Sequence, residues 1–165
     1  MAEPGLLIRT TRPADIPALA EIYLSLARHH AALDPVEYRV PERQAVHARF
    51  AAELEAAEEE DLHVVAEVDG VVVGQLDAIG GRRRSPGSMR VPRASASIGI
   101  AVLDGWRGRG IGSALMRSAE DWARERGLDV LELEVATPND GGRRLYERLG
   151  YVRTAETMVK PVRDR

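Results

Sequence analysis

The sequence predicts a single α/β domain built around a mixed β-sheet. Stretches of alternating apolar residues, typical of strands, are interleaved with segments that repeat apolar residues at helical spacing, and 165 residues suit one domain. Asp69-Gly70, between two strand-like stretches, indicates an antiparallel hairpin. Two later strand-to-helix units, near residues 98–116 and 131–150, predict one parallel pair of strands.

The remaining elements follow from periodicity and from residues that begin or end helices. Pro13 begins a first helix that Asp34-Pro35 ends, and Pro41 suits the first position of a second helix. Gly127 and Gly150 end the two later helices. The earlier elements are a strand at Leu6–Thr11, a helix from Pro13 to about His30, a helix from about Pro41 to Glu60, and hairpin strands at Leu62–Val68 and Val71–Ile79.

The most informative segment runs from Ile98 to Met116. An apolar stretch leads into a loop with glycines at alternate positions 108, 110 and 112, and a helical pattern follows directly. Glycines allow backbone N–H groups to approach a ligand closely, and a helix N-terminus attracts anions. Because Arg107 and Arg109 lie in the same loop, the segment predicts a binding site for a phosphorylated ligand.

Elimination narrows the type of phosphate loop. A P-loop ends in Gly-Lys-Ser/Thr, and no lysine lies nearby; the dinucleotide pattern requires glycine where Ser113 stands. The segment instead matches Arg/Gln-x-x-Gly-x-Gly/Ala through Arg107, Gly110 and Gly112, and so resembles the acyl-CoA loop of the GNAT superfamily of N-acetyltransferases. Considered alone, the loop is also compatible with a tight strand-to-helix turn that binds no ligand.

A second motif supports the resemblance. Apolar residues at 131, 133 and 135 alternate with Glu132 and Glu134, and a short helix then ends at Gly150. This resembles the family's strand followed by Asn-x-x-Ala-x-x-Leu-Tyr-Glu-x-Leu-Gly-Phe/Tyr, with Gly142 where alanine is usual. The two motifs occur in the family's order and separation, and the resemblance is strongest over residues 95–153.

The resemblance implies a fold and an acyl donor. The expected fold is a mixed central sheet of about six or seven strands with splayed fourth and fifth strands, near 95–103 and 130–137, and about four helices. Acetyl-CoA is the expected donor, with its pantetheine arm along the fourth strand and its pyrophosphate over the loop amides. The residues expected to bind it are Ala101, Val102, Leu103, Arg107, Gly108, Arg109, Gly110, Ile111, Gly112, Ser113 and Asn139.

The resemblance also suggests catalytic residues. Tyr146, two helical turns after Asn139, is expected to protonate the departing CoA thiolate. Glu134 stands five residues before Asn139. Family members that acetylate protein N-termini have a glutamate at the same distance before the motif asparagine, so Glu134 is the candidate general base. Alternatives remain open: Tyr146 as a core aromatic, Asn139 as a plain N-cap, Glu134 as a solvated strand residue, and ordered waters as the proton carriers.

Two function classes remain. The favoured one is an acetyl-CoA-dependent N-acetyltransferase acting by direct attack of a primary amine, from a small molecule or a peptide N-terminus. The alternative is a non-catalytic acyl-CoA-binding sensor or interaction module. His29, His30, Tyr38 and Arg39 lie where the family lines its acceptor pocket. No metal is expected, because adjacent histidines on a helix point in different directions.

Composition limits the partners and the compartment. The chain has no cysteine and a net charge of −3, and its N-terminal segment lacks the long apolar stretch of a signal peptide. We therefore expect a cytoplasmic protein that binds neither membranes nor nucleic acid. The five arginines of the 82–93 loop are expected to be solvated. An apolar tail, Thr157–Val162, predicts an edge strand that pairs in a homodimer.

Overall fold

The computed structural model describes residues 5–83, 89, 91–160 and 162. A 3-10 turn at Pro13–Asp15 precedes the first helix. The elements are β1 (Leu6–Thr10), α1 (Ile16–Leu33), α2 (Arg43–Glu55), β2 (Leu62–Val68), β3 (Val71–Arg83), β4 (Ala94–Val102), α3 (Ile111–Glu125), β5 (Val130–Leu133) and α4 (Asp140–Arg148). None of the helices in these ranges is long and apolar enough to cross a membrane.

The five strands form one sheet in the order β1-β2-β3-β4-β5. Neighbours from β1 to β4 are antiparallel, and β4 pairs with β5 in parallel. The predicted mixed sheet with one parallel pair is therefore confirmed. The expected count of six or seven strands was too high: the described chain has five.

The C-terminal tail explains part of this difference. Residues 157–160 and 162 form no strand, and Pro161 lies outside the described residues. Met158, Val159 and Val162 are 80–93% exposed, so this apolar tail pairs with no strand among the described residues. Apolar composition alone was not sufficient to form a strand.

Local signals predicted the turns well and some element ends poorly. Asp69 and Gly70 have φ of 50° and 82°, as the tight hairpin turn requires, and Gly150 has φ of 87° after α4. However, α2 ends at Glu55 rather than Glu60. The acidic residues that follow would repel the negative end of the helix dipole.

Two apolar layers cover the two faces of the sheet. On one face α3 packs on β2, β3 and β4, and this core includes Leu76, Ala78, Ile98, Ile100 and Val102. On the other face, α1 and α2 pack on Val65 of β2. Because side chains alternate along a strand, odd-numbered residues of β4 and residues 75 and 77 of β3 belong to the face of α1 and α2.

Candidate active site

The fourth and fifth strands separate in the middle of the sheet. Their parallel pairing runs from Ser95 opposite Val130 only as far as Ile98 opposite Leu133. β5 ends at that point, whereas β4 continues to Val102. The edge of β4 beyond Ile98 thus opens into a gap, which we call the fork, and the predicted splaying is confirmed.

Strand register identifies the backbone groups that face the fork. The Leu103 N–H donates to the Val73 carbonyl oxygen at 2.8 Å, so residue 103 is bonded to β3. Hydrogen-bonding direction alternates along an antiparallel strand, so Ile100 and Val102 turn their N–H and C=O groups toward the fork. Of the three residues expected to contact the pantetheine arm, only Val102 turns its backbone groups to the fork, because Ala101 and Leu103 turn theirs toward β3.

The glycine loop adopts the conformation that the sequence requires. Gly108 and Gly110 have φ of 79° and 82°, in the left-handed region, and Gly110 is the N-cap of α3. The Ala114 N–H is bonded to the Gly110 carbonyl at 3.0 Å. The N–H groups of Ile111, Gly112 and Ser113 therefore precede the first helical bond and point out of the positive end of α3.

Two contacts orient the arginines of this loop. The Nε of Arg107 donates to the Val102 carbonyl at 3.2 Å, which brings its charge to the edge of the fork. The Arg109 guanidinium lies 4.7 Å from the centroid of the Trp106 ring.

The loop also contacts α1, because the Asp104 N–H donates to Ser25 Oγ at 3.2 Å. A cleft of about 290 Å³ lies here, lined by Ser25, Arg28, His29, Asp104 and Arg107.

Asn139 is the N-cap of α4. It follows β5, whereas the glycine loop follows β4. Its Oδ1 accepts from the Gly142 N–H at 3.0 Å, while its Nδ2 lies 3.5 Å from His30 Nε2. A Cβ on Gly142 would lie 2.9 Å from that Nδ2, so glycine at this position leaves room for the amide. The departure from the family's alanine thus has a local structural reason.

Tyr146 lies on α4, half-buried against the core that α3 covers. Its ring centroid is 6.1 Å from that of Tyr151, with the rings tilted by 59°. Burial raises the pKa of the Tyr146 hydroxyl above its usual value. The group therefore stays protonated at neutral pH, as a proton donor must.

The remaining predicted residues are distributed around the fork. Glu134 is exposed and directly follows the end of β5. The His30 ring lies 5.0 Å from the Tyr38 ring, so α1 and the segment after it meet beside Asn139. Burial, His29 and Arg107 lower the pKa of His30. Within the 82–93 loop, Arg84 and Arg90 lie outside the described residues.

One residue of interest was missed from the sequence. Asp77 of β3 lies opposite Gly99 of β4 in the register of the sheet. If Gly99 had a Cβ, it would lie only 2.7 Å from the Asp77 Oδ1. The available signals were an aspartate inside an apolar strand and a glycine inside the neighbouring one, which often marks a close approach.

Comparison with known proteins agrees with this geometry. Residues 24–151 match the model of the Acetyltransferase (GNAT) family. Streptothricin acetyltransferase of Streptomyces lavendulae is 50% identical over 52 residues, which are 32% of this chain and 28% of that protein. L-amino acid N-acetyltransferase AaaT of Escherichia coli is 36% identical over 94 residues, which are 53% of this chain and 51% of that protein. The chain thus spans about half or less of these curated relatives.

Solved structures share the whole fold. A mutant form of a Bacillus halodurans protein superposes with a TM-score of 0.81 at 21% identity, covering 94% of this chain and 99% of that one. The yncA protein of Salmonella typhimurium, solved with its cofactor acetyl-CoA, has a TM-score of 0.64 at 27% identity, covering 92% and 82%. An aminoglycoside N-acetyltransferase solved with CoA has a TM-score of 0.66 at 20% identity, covering 96% and 95%.

Proposed function

The chain belongs to the GNAT family of acetyltransferases, and we propose that it transfers the acetyl group of acetyl-CoA to a primary amine by direct attack. The observation that carries the proposal is the fork, where Ile100 and Val102 turn backbone groups to an open edge beside the N-terminus of α3. A strand edge that has no neighbouring strand can pair through its backbone groups with an added extended segment. The two amides of a pantetheine arm would supply the partners for this pairing.

The pyrophosphate of the donor is assigned to the glycine loop. Three N–H groups point out of the N-terminus of α3, and two arginines stand beside them. Backbone amides and the helix dipole favour a doubly charged phosphate group at such a position. Gly108 and Gly110 supply the left-handed conformations that form the loop, and Gly112 allows close packing, since a Cβ there would lie 3.1 Å from Leu145 Cδ2.

The same fork provides the groups needed for acyl transfer. An N–H of Ile100 or Val102 would donate to the thioester oxygen as negative charge develops on it. Tyr146 would protonate the departing thiolate, since a phenol with a pKa of about 10 or higher can donate to a thiolate as the C–S bond breaks. Asn139 would contact the pantetheine arm from the N-terminus of α4.

The acceptor must lose protons before and during the attack. An alkylammonium with a pKa of about 10 has no lone pair with which to attack. Glu134 is the carboxylate that the family spacing supplies, and its exposed position suits release of a proton to solvent. The two curated relatives are named for streptothricin and for L-amino acids, and both names are compatible with an amine acceptor here.

The test is thiol release with acetyl-CoA and a panel of primary amines: alkylamines, L-amino acids, aminoglycosides and short peptides with free N-termini. We expect at least one amine to release free CoA and gain the mass of one acetyl group. Tight acetyl-CoA binding with no transfer to any amine would favour the alternative, a non-catalytic acyl-CoA-binding sensor.

We also propose that the protein is a cytoplasmic homodimer. The exposed apolar side chains of residues 158, 159 and 162 lie close together in the chain, and a contact between two copies would bury them. In a dimer, the tail would extend along an edge strand of the partner subunit.

A further inference from the structure

The Asp77 carboxylate lies on the face of the sheet that α1 and α2 cover. Its neighbours on β3, Leu76 and Ala78, are part of the core beneath α3. Alternation along the strand therefore turns Asp77 to the opposite face, toward α1 and α2. Asp77 pairs in register with Gly99 on β4 and with His63 on β2.

Gly99 allows this carboxylate to lean toward the fork. A Cβ at Gly99 would lie 2.7 Å and 3.0 Å from the two Asp77 carboxylate oxygens, closer than real Cβ contacts. The carboxylate thus occupies the space over β4 that a side chain at position 99 would fill. Gly99 is also the first residue of β4 beyond the last pair with β5, Ile98 opposite Leu133.

The carboxylate is therefore one residue away from Ile100, one of the two residues whose N–H is proposed to bind the thioester oxygen. Ile100 follows Gly99 and turns its N–H to the fork. An amine attacking a carbonyl bound there approaches from one face of the sheet, and on the face of α1 and α2 it meets Asp77. A carboxylate at this position can hold an ammonium group by a charge-assisted hydrogen bond.

The surroundings leave this carboxylate available. Among the residues that the structure describes, no other residue forms a salt bridge or hydrogen bond with the Asp77 carboxylate, which accepts from its own backbone N–H, and the side chain is half-buried. Burial raises its pKa above the usual aspartate value and Glu53 of α2 adds to the rise, while His63, Arg49 and the hydrogen bond from its own backbone N–H oppose it. A more basic carboxylate is better suited to accept a proton from an ammonium.

On the basis of the proposed function, we propose that Asp77, seated over Gly99, binds the ammonium group of the acceptor and receives its first proton. The neutral amine then attacks the thioester carbon, a C–N bond forms, and the C–S bond breaks with its electron pair going to sulfur. Tyr146 protonates that sulfur and recovers a proton from the nitrogen of the collapsing intermediate. Asp77 returns its own proton to solvent, so one proton is released per acetyl transferred.

The experiment compares two variants that disturb Asp77 in different ways. Asp77→Asn removes the charge at nearly constant volume, whereas Gly99→Ala keeps the charge and puts a methyl group where the carboxylate lies. Asp69→Asn, an exposed carboxylate in the distant β2–β3 turn, is the matched control. Each protein is assayed by thiol release with acetyl-CoA and the best amine of the panel, and acetyl-CoA affinity is measured by calorimetry.

For Asp77→Asn we expect kcat/KM to fall by about 10²-fold or more near pH 7, the usual worth of general-base assistance. The deficit should shrink as pH approaches the pKa of the amine, because the acceptor then arrives neutral. Gly99→Ala should raise the KM for the amine, and Asp69→Asn should match the wild type. Acetyl-CoA affinity should stay within about two-fold in all three, which also confirms that the variants are folded.

Distinct outcomes overturn distinct claims. An active wild type with an equally active Asp77→Asn overturns the role of Asp77 and leaves the proposed function intact. A kcat/KM deficit of Asp77→Asn that is the same at every pH overturns proton acceptance by Asp77. The same conclusion follows if Glu134→Gln loses more activity than Asp77→Asn and its deficit shrinks as pH approaches the pKa of the amine. A wild type that binds acetyl-CoA but acetylates no amine overturns the proposed function and this inference with it.

Discussion

Asn139 and His30, 109 residues apart in the chain, meet through Asn139 Nδ2 and His30 Nε2 at 3.5 Å. The Asn139 amide is oriented by its Oδ1, which accepts from the Gly142 N–H. Its NH₂ group therefore faces the imidazole, and His30 Nε2 can accept only when it carries no proton. The N-cap of α4 and the last turn of α1 are thus linked through a neutral histidine.

This contact predicts a pH effect on stability. The pKa of His30 is lowered from 6.5 in the folded protein, so the unfolded chain takes up the proton first. The free energy of unfolding should therefore decrease as pH falls from 7.5 to 5.5, and less so in His30→Gln. Urea denaturation at both pH values, with His47→Gln as the control, measures the difference. Identical pH dependence in wild type and His30→Gln would contradict the prediction.

A second prediction concerns the pyrophosphate. Gly110→Asp puts a carboxylate among the free N–H groups of α3 and should weaken acetyl-CoA binding at least 100-fold, by charge repulsion of about 3 kcal/mol. Gly105→Asp is the matched control, since Gly105 has a similar φ of 81° and open space around it but does not cap α3. Calorimetric titration of both variants gives the comparison. Equal affinities would remove the pyrophosphate assignment.

The third prediction tests a structural ion network far from the fork. Arg9 bonds both oxygens of Asp15, at 2.7 and 2.8 Å, and Glu67 at 2.7 Å, with only 15% of its side chain exposed. Arg9→Met should cost about 3 kcal/mol, because it leaves Asp15 buried and without its cation. The pKa of Asp15 is lowered chiefly by Arg9, so this contribution is present at neutral pH and lost in strong acid.

Chemical denaturation at pH 7 checks that cost. Arg124→Met is the control, since Arg124 pairs with Asp121 at 2.5 Å but the two side chains are 67% and 70% exposed. Exposed pairs contribute at most about 1 kcal/mol. If the two substitutions cost the same, the network around Arg9 does not stabilise the fold.

The fourth prediction concerns association through the tail. If residues 157–162 cover an edge of a second copy, Val159→Lys should shift the protein toward monomer, because a charge cannot be buried without a partner. Light scattering across micromolar concentrations would detect the shift. A wild type that is monomeric over that range would exclude the homodimer.

Local signals predicted much of this molecule, and long-range contacts decided the rest. Asp69-Gly70 and the glycine loop were readable because a left-handed backbone conformation selects glycine or aspartate at single positions. The sequence could not predict that the backbone groups of Ile100 face the fork, because their direction depends on the register between β3 and β4. Asp77 was missed for the same reason, since its importance comes from Gly99 on the neighbouring strand.

The last prediction concerns Tyr146 and uses Tyr151 as its control. Tyr146→Phe keeps the ring against the core and removes only the hydroxyl. If that hydroxyl protonates the thiolate, kcat should fall by about 10²- to 10⁴-fold, with acetyl-CoA affinity nearly unchanged. Tyr151→Phe makes the same chemical change in the other ring of the pair, 6.1 Å away.

The control should leave kcat unchanged and stability equal or higher. The Tyr151 hydroxyl is buried with no hydrogen-bond partner among the described residues, so its removal relieves a desolvation cost. The two tyrosines also differ in pH behaviour. Burial raises the pKa of Tyr146 above the ordinary phenol value of 10. If Tyr146 is the proton donor, wild-type kcat should stay constant up to about pH 10 and decline above it. Tyr146→Phe should lack this decline. Full activity in Tyr146→Phe, or an equal loss in Tyr151→Phe, would mean that the thiolate leaves without help from this hydroxyl.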